Sequence, residues 1–329
     1  MTIKLLTHFL FLLSCTVGLA QNNVLISQYF KVMPAFAPGL SGANDFLDVR
    51  AGARYQWLGY EGAPRTYLFS INGTLNPGES NANRYNSLRV DNMRPYNQRK
   101  TKIGVGGYVF DDQSGALRQL EALVSGAIHI PMNGKTYLSL GISTGIYHTQ
   151  LEFNDIFVLN PANDFTYQEY IANGARSNQL KITTGMAVYS DRFYLSYSIL
   201  SIGGSTGLEN LAESPISTAL SHVALGGATA NVGPYFELIP NFYLRYTNGL
   251  PVLLDAGLRL RYNQNPYIGL SYRNTNSIIA MFGFTVNDKL NVGYSFETFN
   301  ENSTESSISS HEILLGLRLF NYGKHTPMW

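Results

Sequence analysis

Two kinds of side chain in this sequence could do chemistry: arginines interleaved with acids, and histidines that recur at no fixed spacing. In LDVRAGARY, Asp48, Arg50 and Arg54 fall on one parity; in LLDAGLRLR, Asp255, Arg259 and Arg261 do; Arg273 and Glu297 close two further runs of the same kind. Guanidinium groups an even number of residues apart share one face of a strand. They can hold the carboxylates of a bound peptide or pair with Asp48, Asp255 and Glu297; internal pairing is the simpler arrangement, because a charge taken from water needs a partner. His129, His148, His222, His311 and His325 lie on separate runs, and no HExxH, GxSxG, cysteine pair or phosphate-cradling glycine loop accompanies them. A Ser/His pair assembled only in space stays open. His311-Glu312 reads as a hydrogen-bonded pair at a rim or in a lumen rather than a metal site. The expectation is a protein without enzymatic activity, cofactor or metal.

The elements that position these groups are clearest between Val252 and Phe299. Leu254, Ala256, Leu258, Leu260 and Tyr262 alternate with Asp255, Gly257, Arg259 and Arg261, and after Asn263-Gln264 the alternation resumes with Ile268, Leu270 and Tyr272 against Tyr267, Gly269, Ser271 and Arg273. SIIAMFGFTV and KLNVGYSFE repeat it, separated by Asn-rich turns. This is an antiparallel meander. Its polar parity is Gly, Ser, Asn, Tyr and scattered Arg, not the Lys- and Glu-rich face of a soluble barrel. Apolar to lipid and polar to a lumen is the pattern of a membrane barrel.

Composition agrees. Charged residues are 14% of the chain, against roughly 25% in a soluble domain. The mean hydropathy of −0.06 excludes a helical membrane protein but suits a barrel whose two faces cancel. A net charge of +1 gives no reason to expect nucleic acid as a partner. Residues 1–20 read as a secretory signal, with Lys4, the apolar run Leu5 to Leu13, and Gly18-Leu19-Ala20 before Gln21; lipidation at Cys15 is the competing reading. Cleavage before Gln21 removes the one cysteine, so the sheet alone must hold the chain.

Residues 21–45 are rich in turn formers around Tyr29, Phe30, Met33 and Phe36 and read as a tether or partial plug. The barrel spans 46–320 with about fourteen strands, the others near 46–57, 66–75, 101–110, 119–130, 136–151, 179–190, 192–200, 219–231, 234–246 and 311–320; a tail, 321–329, follows. An even count brings both barrel ends to one side. Connections 152–178, 201–218 and 300–310 fall at one mouth and tight turns at the other, the asymmetry of cell-surface and periplasmic ends. The basic loop 76–100, with Arg84, Arg89, Arg94, Arg99 and Lys100, breaks that rule on the periplasmic side and reads as a solvated insertion, the alternative being a contact for a periplasmic partner.

The run RYQWLGYEGAPRT, with ISQYF and PAFAPGLSG before it, and VLLDAGLRLRY, IGLSYRNTNSIIAMFGFTVNDKLNVGYSFE and SSHEILLGLRLF after it, resembles the PorP/SprF family of outer-membrane proteins linked to type IX secretion in Bacteroidetes. The likeness runs from about Ser27 to Phe320. MPAFAPG departs from the family's N-P-A-x-A-G segment, and 76–100 is an insertion. The resemblance implies a fourteen-stranded barrel in the bacterial outer membrane that works with type IX components. It further implies that the barrel receives a secreted client, such as a gliding adhesin, by the client's C-terminal domain and anchors it at the cell surface. Arg54, Trp57, Glu61, Gly62 and Pro64 carry the family motif, as a rim that contacts client or partner, or as girdle aromatics and a shaped turn. The other reading of function is a diffusion porin or substrate-specific channel, which an open, conducting lumen would favour.

Overall fold

Period-two alternation with apolar residues on one parity favours strands that pair edge to edge, and pairing continues until no edge remains. The computed structural model describes residues 26–75, 101–132, 136–152, 160–165, 167–168, 176–205, 220–287, 289–299 and 309–321. The strands are β1 Leu47–Tyr55, β2 Arg65–Thr74, β3 Lys102–Ser114, β4 Leu117–Pro131, β5 Tyr137–Leu151, β6 Arg176–Tyr189 and β7 Phe193–Ser205. They continue as β8 Ser221–Ala228, β9 Ala230–Val232, β10 Phe236–Thr247, β11 Leu253–Tyr262, β12 Tyr267–Arg273, β13 Ser277–Val286, β14 Leu290–Phe299 and β15 Ser309–Leu319. Apart from β8 and β9, which do not pair with each other, each pairs antiparallel with its sequence neighbours, and β15 closes on β1 from Leu47↔Leu319 to Tyr55↔His311. β8 and β9 are two pieces of one barrel strand, both paired to β10, so the closed barrel has 14 strands. The break falls at Thr229, whose N–H bonds the Arg192 carbonyl.

One expected loop is strand instead. Residues 111–118 extend β3 and β4 to a turn at Gly115 (φ +56°), and the Arg118–Asp111 ion pair at 2.8 Å ties the extension. Its polar residues on both faces hid the alternation. The tight turns at the opposite mouth use left-handed asparagines, among them Asn263 and Asn287, a conformation asparagine tolerates better than most residues.

Parity is obeyed all round. Ile142, Ile146, Leu195, Ile268, Leu270 and Ile278 lie bare on the outside, as a lipid-facing band would. Aromatics bracket the band: Tyr55 and Tyr67 meet at one mouth, and Tyr235 and Phe236 pack on Tyr262 at the other. The inward parity carries Ser125, Ser139, Ser143, Thr183, Ser198 and the charged groups, all buried. What buries them is the chain's own N-terminal segment, three short 3-10 turns at Tyr29–Lys31, Met33–Ala35 and Pro38–Leu40, set inside the barrel.

Candidate functional site

Residues 26–43 are almost wholly buried and touch walls on opposite sides. Pro34 and Pro38 bar a long helix or a paired strand, which leaves a compact, turn-rich path. Tyr29 and Phe36 pack against Tyr243 of β10, and Phe36 also against Phe110 of β3. Further on, Ser41 donates or accepts a hydroxyl bond with Ser125 at 2.8 Å, and its carbonyl meets His129 Nε2 at 2.9 Å, while His129 Nδ1 meets the Tyr189 hydroxyl. The wall leaves room by lacking side chains. A methyl on Gly104 would overlap the Ser41 carbonyl, and one on Gly141 would overlap Pro38. Gly42, at φ +68°, makes the close approach to Gly73 and Gly104.

At the mouth with the long connections, charges lock this segment to the wall. The Glu312 carboxylate accepts the backbone N–H groups of Ser27 (2.7 Å) and Gln28 (2.9 Å), one on each oxygen. Arg54 bridges Glu312 (3.3 Å) and Glu297 (2.5 Å) and donates to the Ser27 hydroxyl. Arg273 joins Glu297 (2.9 Å) to Asp255 (3.0 Å), and Ser277 donates to Glu297 at 2.7 Å. Two arginines thus face three carboxylates, none more than 2% exposed.

Nearer the other mouth, Arg50 pairs with Asp48 at 2.6 Å and Arg261 with Glu237 at 2.7 Å. The Arg259 guanidinium carbon lies over Phe30, 3.6 Å from the ring centroid. Lys31 donates to Asn291 and lies 5.1 Å over Tyr267. Burial, then the charges of Arg50, Arg259 and Arg318, hold the Lys31 ammonium well below the ordinary lysine range.

Every predicted lumen charge, Asp48, Arg50, Asp255, Arg259, Arg261, Arg273 and Glu297, is buried inside the barrel. Of the two readings of Arg54, a lumen arginine or part of the rim motif, the structure shows the first: at 1% exposure it belongs to the lumen lock, because it shares parity with Asp48 and Arg50. Trp57, Glu61 and Gly62 are exposed at the long-connection mouth, and Pro64 is buried. Their turn is held by Gln56 N–H to the Pro64 carbonyl and by Gly115 N–H to the Gly62 carbonyl. His311 and Glu312 do not form a pair: successive strand residues face opposite ways, so His311 bonds the Tyr294 hydroxyl at 2.6 Å while Glu312 enters the lumen. Sequence reasoning missed Lys31 as a partner, and also the buried set Lys181, Glu121 and Tyr108. Parity would have found Lys181 and Glu121; nothing local marks Lys31. Residues 1–20, expected to be a signal, the loop 76–100 and most of the tail lie outside the described residues.

Comparison with solved structures returns outer-membrane barrels at low identity. The CymD monoaromatic hydrocarbon channel aligns over 92% of this chain and 94% of its own, at 9% identity and a TM-score of 0.47. The Pseudomonas putida toluene transporter TodX aligns over 90% and 94%, at 10% identity and a TM-score of 0.44. Acinetobacter baumannii Omp33 aligns over 85% and 100%, at 9% identity and a TM-score of 0.44. No curated protein matches the chain. A family model, the type IX secretion system membrane protein PorP/SprF, matches residues 18–317, and with its 14-strand barrel the chain belongs to that family of outer-membrane proteins.

Proposed function

We propose that this barrel is a non-enzymatic attachment component of type IX secretion, which binds a secreted client by the client's C-terminal domain and holds it at the cell surface. The observation that carries this reading is the occupied lumen. Residues 26–43 fill it and are bonded to both walls and to the charges of the long-connection mouth. A diffusion pore needs that space open. With the interior taken, binding falls to the outer mouth, where long connections face the surface and where Trp57, Leu58 and Tyr60 stand exposed beside Glu61. Membership of the PorP/SprF family supports association with secretion components.

The test is to purify the tagged barrel from outer membranes in mild detergent and identify by mass spectrometry what accompanies it. A large secreted protein in near-equal amount, retained through its C-terminal domain, is the expected result. A lone barrel that conducts ions in planar bilayers would overturn the proposal in favour of the porin reading. Trp57→Ala and Glu61→Gln then separate contact from turn: loss of client with normal insertion is expected if the mouth binds it.

A further inference from the structure

The lock at the long-connection mouth is internally balanced to within one charge, but the opposite half of the lumen is not. A small recess lies between the N-terminal segment and β11, β12 and β14. Lys31, Arg50, Arg259, Arg261 and Arg318 line it, and among the described residues no carboxylate does. Asp48 and Glu237 lie beside the recess and hold Arg50 and Arg261. That leaves Lys31 and Arg259 with no carboxylate partner among the described residues. A second observation points to a ligand. Arg259 is 3% exposed, and its Nε and Nη2 have no hydrogen-bond partner among the described residues. Those two nitrogens form one edge of the guanidinium, the fork that takes a carboxylate or phosphate side-on. Phe30 covers the face of the group but cannot satisfy its edge. Lys31, whose Nζ donates to Asn291 and lines the same recess, is a second donor facing no carboxylate among the described residues.

We infer that the short-turn mouth of the lumen holds an oxyanion-binding site, for a carboxylate or phosphate group, in which Arg259 supplies a two-pronged contact and Lys31 the second cation. A shift of the guanidinium across Phe30 brings its edge to the anion. Access is from the side of Gln264 and Asn265, the mouth of the tight turns, so the anion enters from the periplasm and not from the cell surface. The site is separate from the client-binding mouth and stands without it.

The test is calorimetric titration of the full chain, purified in mild detergent, with inorganic phosphate and with an N-acetylated acidic peptide, at an ionic strength fixed with chloride. One anion per barrel is expected, from either probe. Phosphate binding identifies a free solute or a headgroup; peptide binding without phosphate binding identifies a polypeptide carboxylate. Arg259→Gln should weaken binding at least tenfold. Arg259→Lys, which keeps the charge and loses the fork, should lose most of the same affinity, whereas Lys289→Gln at the rim should change nothing. A heat-shifted gel band checks that each variant is a folded barrel. No binding above the chloride control, or Arg259→Lys binding like the natural chain, overturns the site.

Discussion

Arg54→Gln is the substitution whose consequence the structure fixes most closely. Arg54 is buried to 1% exposure and bonds two carboxylates, one of which, Glu312, holds the backbone of Ser27 and Gln28. In the natural chain two arginines face three carboxylates; without Arg54 one faces three. Removing one partner of a buried pair costs about 3–5 kcal/mol. The strain is relieved most simply by letting go of residues 26–43, since the barrel wall is held by its ladder while the segment is held by side-chain packing and by hydrogen bonds such as those to Glu312. At about 1.4 kcal/mol per factor of ten, the released population should rise by roughly two to three and a half orders of magnitude. The assay is maleimide labelling of Met33→Cys, a position with 0% exposure, in a chain whose Cys15 is replaced by Ser. Labelling should accelerate by that factor in Arg54→Gln while the heat-shifted barrel band persists. Adding Glu297→Gln restores the one-charge imbalance, one arginine to two carboxylates, and should recover more than half of the protection. If Arg54→Gln labels as slowly as its parent, the ion-pair lock does not hold the segment and the reasoning fails.

Other outcomes follow from the same geometry. Gly104→Ala or Gly141→Ala forces a methyl into Ser41 or Pro38 and should speed Met33→Cys labelling by about tenfold or more, at the roughly 1–3 kcal/mol that overpacking costs. Lys181→Met leaves buried Glu121 with only Tyr108, and the thermal midpoint of the barrel should drop by the equivalent of about 3–5 kcal/mol; Lys181→Met with Glu121→Leu should return most of it. Lys31 binds its proton less tightly when docked than when free. Stability must therefore rise with pH between its lowered pKa and about 10.4, and the slope of thermal midpoint against pH should flatten in Lys31→Met.

The sequence by itself determined the barrel, because side chains on a strand have a period of two and lipid and water sort that period into two faces. Asp255, Arg259, Arg261 and Arg273 were legible as interior groups for this reason alone, and the even strand count was legible from the turns. The sequence also carried the family motif. It did not reveal which charges meet. Arg54 and Glu297 are 243 residues apart and touch only because β1 closes on β15, which joins β14. The motif drew Arg54 to the rim, although its own parity sent it inward. The path of residues 26–43 was beyond any periodic reading, since three single 3-10 turns repeat nothing. Only the tertiary structure could decide that path, because it is set by the cavity left when glycines stand where the wall would otherwise carry side chains.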